Sequence, residues 1–154
     1  MAYTKEKAAI LFAVVAALCA ATPAMAQFAK AEDAIKYRKA TFTAMATHFG
    51  RVSAMANGKV LFDAKSVADN AALAAVLGGL PYAAFIDGTD KGETRAKPEV
   101  WAERAKFDAA ATKAQDELGR LNVAAKGGDI EAIKAAAGSA GKACKSCHDN
   151  FRKE

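Results

Sequence analysis

Residues 130–151 read "IEAIKAAAGSAGKACKSCHDNF", and apolar residues recur in them every third or fourth position: Ile130, Ile133, Ala137, Ala140, Cys144, Cys147 and Phe151. That spacing keeps one face of an α-helix apolar. Gly127-Gly128 breaks whatever precedes it, and Asp129 is placed to cap the new helix. The stripe is built from small residues through Ala137, Gly138, Ala140 and Gly141. A packed interior leaves few voids larger than water. The reading therefore predicts that something other than this helix's own side chains fills the space beside it.

Outward from this segment the same spacing recurs, and no strand alternation persists. It predicts a first helix over Ala31–Ala56, with Glu32 and Asp33 at its positive end. The seam of that helix is Ile35, Arg38, Phe42, Met45, Phe49 and Val52. A second helix starts near Asp63, an N-cap residue, and runs through Val67, Ala74 and Leu77 until Gly78-Gly79 and Pro81 stop it. "YAAFIDGTDKGETRAK" reads as one long loop, punctuated by Gly88 and Gly92. Pro98 suits the first turn of a third helix, whose stripe carries Arg104, Phe107, Ala111, Ala114, Leu118, Leu121 and Ala125. Four narrow stripes with mostly short connections predict an all-α fold, an antiparallel up-down four-helix bundle.

Residues 1–26 stand apart from the bundle. Lys5 and Lys7 precede an apolar run from Ala8 to Ala21, which closes on Ala24-Met25-Ala26. This predicts a secretory signal cleaved after Ala26, leaving Gln27 first in one domain over 27–154. The apolar run is short for a membrane span, and no second candidate is expected after it. Leu18 stands where a lipoprotein signal at Cys19 wants a small residue. Export to the periplasm is the expectation. Cleavage removes two lysines and one glutamate, so the formal charge of +5 becomes +4. The basic residues are dispersed, which argues against nucleic acid.

Of three cysteines, Cys19 leaves with the signal, and the other two are separated by two intervening residues. A disulfide between them would close almost no loop. On a helix Cys144, Cys147 and His148 share one face. Two thiols can add to the two vinyl groups of a porphyrin while the neighbouring imidazole ligates its iron, and C-x-x-C-H reads as a c-type haem attachment. The rivals fail on particulars. A thioredoxin-like site expects a βαβ setting. Structural zinc wants four ligands, and His48 is the one remaining candidate. A plain pair of core cysteines leaves the small-residue stripe unfilled.

With "KYR" on its first helix, "LPYAAF" after the second and "CKSCHDNFRK" at its end, the mature chain resembles the class II c-type cytochromes, specifically the cytochrome c′ family. The resemblance implies one covalently bound haem c, with Cys144 and Cys147 as its anchors and His148 as the axial iron ligand. It implies an empty sixth position covered by Phe42, and a propionate contact from Arg38. Without the family, Arg38 reads equally as an arginine snorkelling at a bundle end. Lys39 and Glu93 match positions near the haem edge, although the long loop around Glu93 carries a short insertion. Arg152, four residues beyond His148, matches an arginine that meets nitric oxide on the histidine side; alone it reads as a solvated charge near a helix C-terminus. Dimerisation through the first two helices is implied too.

The function expected from these residues is non-enzymatic binding of nitric oxide and carbon monoxide beneath an apolar lid, with electron transfer to a redox partner protein as a further role. The alternative is a six-coordinate, low-spin electron carrier with Met45 as sixth ligand, since thioether sulfur ligates haem in cytochromes c. His48 sits beside the seam and is a poorer ligand candidate. Peroxidase-like chemistry wants a distal acid–base group, which Phe42 cannot supply.

Overall fold

A computed structural model describes residues 27–154; the expected secretory signal, with Cys19, lies outside the described residues. Four long helices carry the fold: α1 (Ala31–Ala56), α2 (Ala64–Gly79), α3 (Arg104–Gly127) and α4 (Ile130–Phe151). Successive helices pack on one another and α4 closes back on α1, which makes an up-down four-helix bundle. Two caps follow from the sequence directly. Asp63 Oδ1 accepts from Ser66 N at 2.6 Å, and Asp129 Oδ1 accepts from Glu131 N at 2.9 Å. Gly128 ends α3 with φ of 75°, a left-handed turn that costs glycine little.

The bundle's dry end is made of Val52, Val67, Leu121, Ile133 and Ala137, with Met55 and Ala71 between them. Val52, Val67, Leu121 and Ile133 are fully buried, each contributing about 1.5–3 kcal/mol of hydrophobic stabilisation. Ala137 and Ala140 are buried too, but they leave no void. Leu118 and Ala74 close on Ala140, and the Phe49 ring reaches within 3.8 Å of where a Gly141 Cβ would stand. The expected space beside the small-residue stripe is therefore filled by neighbouring helices. The open space lies one turn later along α4. Ile130, at the head of the stripe, is 40% exposed rather than buried.

Three further expectations need correcting. The long loop opens with a 3-10 turn, Pro81–Ala84, because Pro81 sets the φ that such a turn uses. The third helix is broken: a single turn, Glu99–Ala102, is separated from α3 by Glu103 at φ −116° and ψ 45°. The break accompanies two anchors to the loop, where Trp101 Nε1 donates to the Ile86 carbonyl (3.2 Å) and Arg104 Nη1 to that of Phe85 (3.0 Å). Last, Ala64–Ala84 is apolar enough to cross a membrane by length and composition, with mean hydropathy 1.2. Its α-helix stops at Gly79, and Val67, Ala71, Ala74 and Gly78 are buried in the bundle. The outer face of α2 leaves Leu73 and Val76 exposed, and Leu80, its C-cap, is exposed beside them.

Candidate functional site

At the end of the bundle where α4 terminates, a cavity of about 420 Å³ opens between α1, α4 and the long loop. That volume lies in the range of pockets that enclose small-molecule cofactors, about 300–1,000 Å³. From α4 come Cys144, Cys147, His148, Phe151 and Arg152; from α1 come Arg38, Lys39, Phe42 and Met45. The helical spacing explains the first set, since positions three and four apart share a face. Tyr82, Phe85, Val100, Phe107 and Leu118 complete the apolar walls.

The aromatic rings form one connected cluster. Phe42 stands edge-on to Tyr82 at 5.7 Å between centroids and to Phe85 at 6.3 Å, while Phe107 meets Phe85 at 4.8 Å and Phe151 at 5.4 Å. These separations are those of favourable aromatic pairs. The rim is cationic. Arg38, Lys39, Arg95 and Arg152 all line the cavity, and no Asp or Glu side chain does.

Cys144 and Cys147 are free thiols, half-buried. Burial pushes both thiols above their ordinary range, with a small opposing backbone bond at Cys144 and the neighbouring thiol adding at Cys147. Thiols held up in this way stay protonated at neutral pH, which disfavours spontaneous metal capture. His148 is held below the usual imidazole range, first by desolvation and then by Arg152 and Arg95, with Asp149 opposing. Its imidazole is neutral at pH 7, the form that ligates a metal. Arg152 Nη1 lies 3.4 Å from His148 Nδ1.

Arg38 departs from the expectation most. It is 2% exposed, and its guanidinium spans the gap from α1 to the loop. Nη1 donates to the Ala84 carbonyl (3.1 Å) and Thr89 Oγ1 (2.7 Å). Nη2 donates to the Thr89 carbonyl and to Thr94 Oγ1, both at 2.7 Å. The group also stacks over the Phe85 ring, 4.4 Å from its centroid. Four of five N–H donors are spent on the protein, and burial lowers its pKa to about 10. Arg38 is a strut of the loop, with its Nε–H the donor left for anything in the cavity.

The remaining expected residues divide. Lys39 lines the cavity and donates to the backbone carbonyl of Glu93 at 3.1 Å, whereas the Glu93 side chain is exposed and does not reach the cavity wall. Met45 lines the same wall as Phe42. His48 turns aside to Asn70, Nδ1 to Oδ1 2.8 Å. Arg104 is exposed and paired with Asp108 at 2.8 Å. Among the lining residues not anticipated as site residues are Arg95 and Tyr82. Arg95 is brought in when residues 95–97 pair with the C-terminal strand of chain: Lys153 N donates to its carbonyl at 2.8 Å and Lys97 N to that of Phe151 at 2.9 Å. Among the described residues no group of three or more His, Cys, Asp and Glu is placed to hold a metal ion by itself.

These features fit a flat apolar macrocycle with two acidic arms: two thiols beside a neutral imidazole, aromatic walls, and a rim of cations without a carboxylate. Comparison with known proteins agrees. The family model described as Cytochrome C′ matches residues 33–152. A cytochrome c′ of Rubrivivax gelatinosus is 54% identical over 129 residues, 83% of this chain and 100% of that protein. Its crystal structure superposes with a TM-score of 0.80 over 82% of this chain and 100% of that one. From Alcaligenes xylosoxidans, a nitric oxide complex and a carbon monoxide complex of cytochrome c prime variants are each 41% identical. Both superpose with TM-scores of 0.78 over 83% of this chain and 99% and 100% of theirs.

Proposed function

This chain belongs to the cytochrome c′ family, whose members carry covalently attached haem c, and from that premise we propose that it is a periplasmic, non-enzymatic binder of nitric oxide and carbon monoxide with a five-coordinate iron. The observation that carries the reading is the composition of the two cavity walls. The α4 wall offers Cys144 and Cys147 for two thioether bonds and His148 for one axial position; the α1 wall offers Phe42, which has neither donor nor acceptor. The haem, once bound, supplies the coordination site at which a gas is held. Everything else is done by the chain. Arg152 holds His148 by its Nδ1 side, and the same arginine is the group that a ligand arriving on the histidine side would meet. The cations of the rim, Lys39, Arg95 and the Nε–H of Arg38, would hold the propionates, and the Glu93 carbonyl accepts from Lys39. Phe42 and its aromatic neighbours exclude water, so a small uncharged ligand enters only by displacing a packed ring.

The non-enzymatic reading is supported by Phe42, which carries no acid–base group on its side of the cavity; the exposed rim is where an electron-transfer partner would dock. Homodimerisation would use the uncovered apolar face of α2, Leu73 and Val76, with Leu80 at its C-cap. One observation favours a second reading: Met45 lines the cavity one turn from Phe42, so a thioether ligand on that side would give a low-spin electron carrier. Binding kinetics test the lid. Phe42→Ala is expected to speed carbon monoxide association, and Arg152→Ala to alter nitric oxide coordination without changing carbon monoxide binding. Unchanged association in Phe42→Ala would overturn the lid.

A further inference from the structure

Helix α4 does not carry Arg152 alone. The Arg152 N–H still donates to the His148 carbonyl at 3.0 Å, but at its own Cα the chain leaves the helix, with φ −123° and ψ 131°. That is extended backbone, and its partner lies across the long loop. Ala96 and Arg152 form an antiparallel bridge. The peptide groups on either side of Arg152 are both held: Lys97 N donates to the Phe151 carbonyl at 2.9 Å, and Lys153 N to that of Arg95 at 2.8 Å. Two side chains add to the pairing. Arg95 Nε donates to the Lys153 carbonyl at 3.1 Å, and Lys97 Nζ to that of Asp149 at 2.8 Å.

The loop side of this pairing is itself anchored. Ala96 N donates to Thr94 Oγ1 (3.1 Å), which also accepts from Arg38 on α1 (2.7 Å). Phe151 and Ala96 are buried together with Phe85, Val100 and Phe107. That burial fixes the register. Directly opposed residues of an antiparallel pair present their side chains on one face, and Ala96 and Arg152 both line the cavity. A slip of one residue would turn Arg152 to the other face. In the observed register Arg152 Nη1 lies 3.4 Å from His148 Nδ1, and a guanidinium keeps its charge at any working pH.

We infer that residues 95–97 are a strap that positions Arg152 beside His148, so that Lys97 and the Arg95 carbonyl govern how nitric oxide is met on the histidine side without touching it. This rests on the reading that Arg152 meets nitric oxide there. None of the four hydrogen bonds across the strap involves α1. Opening it therefore acts on the histidine side and leaves carbon monoxide entry past Phe42 unchanged.

The test compares holoprotein of wild type, Lys153→Pro, Lys97→Pro, Arg152→Ala and the double variant Arg152→Ala/Lys153→Pro. Proline at 153 removes the N–H given to Arg95, and Arg152 already has the extended backbone that a residue before proline takes. Proline at 97 removes the donor to Phe151 and the ammonium on the Asp149 carbonyl. In wild type the Lys97 and Lys153 amides should be protected from hydrogen exchange. In Lys153→Pro the Lys97 amide should exchange about fivefold faster, the ratio that losing one hydrogen bond produces. The balance of five- and six-coordinate nitrosyl haem, read by absorption, should shift in both proline variants in the direction that Arg152→Ala shifts it, and by less. Carbon monoxide association should match wild type, and Lys153→Pro should add nothing to Arg152→Ala. Wild-type amides that exchange as freely as exposed ones would overturn the strap without any variant. Wild-type nitric oxide coordination in both proline variants, with a shift in Arg152→Ala, would remove the strap and keep the reading of Arg152. Silence in Arg152→Ala as well removes both. A proline effect that persists without Arg152, or altered carbon monoxide association, would give the pairing a general structural role and overturn the inference.

Discussion

Replacing Arg38 by Met removes four hydrogen-bond donors from the junction of α1 and the loop while leaving an apolar side chain of similar length. The consequences are unequal. Thr89 Oγ1 still donates to the Ile86 carbonyl, and Thr94 Oγ1 still accepts from Ala96 N. The carbonyls of Ala84 and Thr89, two residues with no exposed surface, lose the donors that Arg38 gave them. Two buried acceptors left unpaired cost about 1–3 kcal/mol each. Part of that is recovered because no carboxylate pairs with the buried cation, whose desolvation is relieved. The net loss is about 2–4 kcal/mol, which lowers the melting temperature by roughly 3–5 °C per kcal/mol for a domain of this size. Arg38→Lys keeps the charge but not the fork, so it should recover little of the loss. Urea unfolding of the holoprotein, read by circular dichroism, measures both variants, and amide exchange across residues 85–94 should accelerate in step. A loss below about 0.5 kcal/mol in Arg38→Met, the ordinary range of a surface change, would refute the strut. So would a lysine variant as stable as wild type.

The glycines of the bundle offer an internal control on packing. Gly138→Ala meets nothing within 4 Å and should stabilise α4 by about 1 kcal/mol through helix propensity. Gly78→Ala gains the same propensity, but its Cβ overlaps Leu118 Cδ1 against the cavity, an overpacking cost of about 1–3 kcal/mol. The two variants should therefore separate in thermal melts, and equal stabilities would contradict the packing described. Glu117 is held below the ordinary carboxylate value of 4.5, chiefly by its hydrogen bond from Lys113, with Arg120 helping and burial opposing. Its folded-state pKa is depressed, so its stabilisation is complete above the ordinary value and is lost as pH falls through the lowered one. Glu117→Gln should flatten that acid limb of the stability profile; an unaltered limb would remove Glu117 from it. On the exposed face of α2, Val76 is 65% exposed between Leu73 and Leu80. A dimer through this face predicts that the wild type sediments as a dimer and Val76→Lys as a monomer; a monomeric wild type or a dimeric variant would contradict it.

Helix limits were readable from the chain because caps and breakers act locally. Asp63, Asp129, Pro81 and Gly128 each do what their chemistry dictates within a few residues. The joint location of Cys144, Cys147 and His148 was equally readable, since helical spacing alone puts them on one face. What escaped depends on chain segments far apart in sequence. The loop contacts of Arg38 were not readable, because Thr89 and Thr94 reach it from 51 and 56 residues away. The small residues of α4 looked like an empty space, but Phe49 and Leu118 fill it from α1 and α3. Tyr82 had one local signal, its place directly after the proline that ends α2. Glu93 was placed by likeness in the long loop, and there the backbone, not the carboxylate, meets Lys39.

The spin state of the ferric holoprotein tests the central claim most directly. Electron paramagnetic resonance and absorption of protein matured with its haem should give a high-spin, five-coordinate signal, unaltered by Met45→Ala, if Phe42 rather than Met45 covers the iron on the α1 wall. A low-spin, six-coordinate signal that Met45→Ala converts to high spin would contradict it and make the protein an electron carrier.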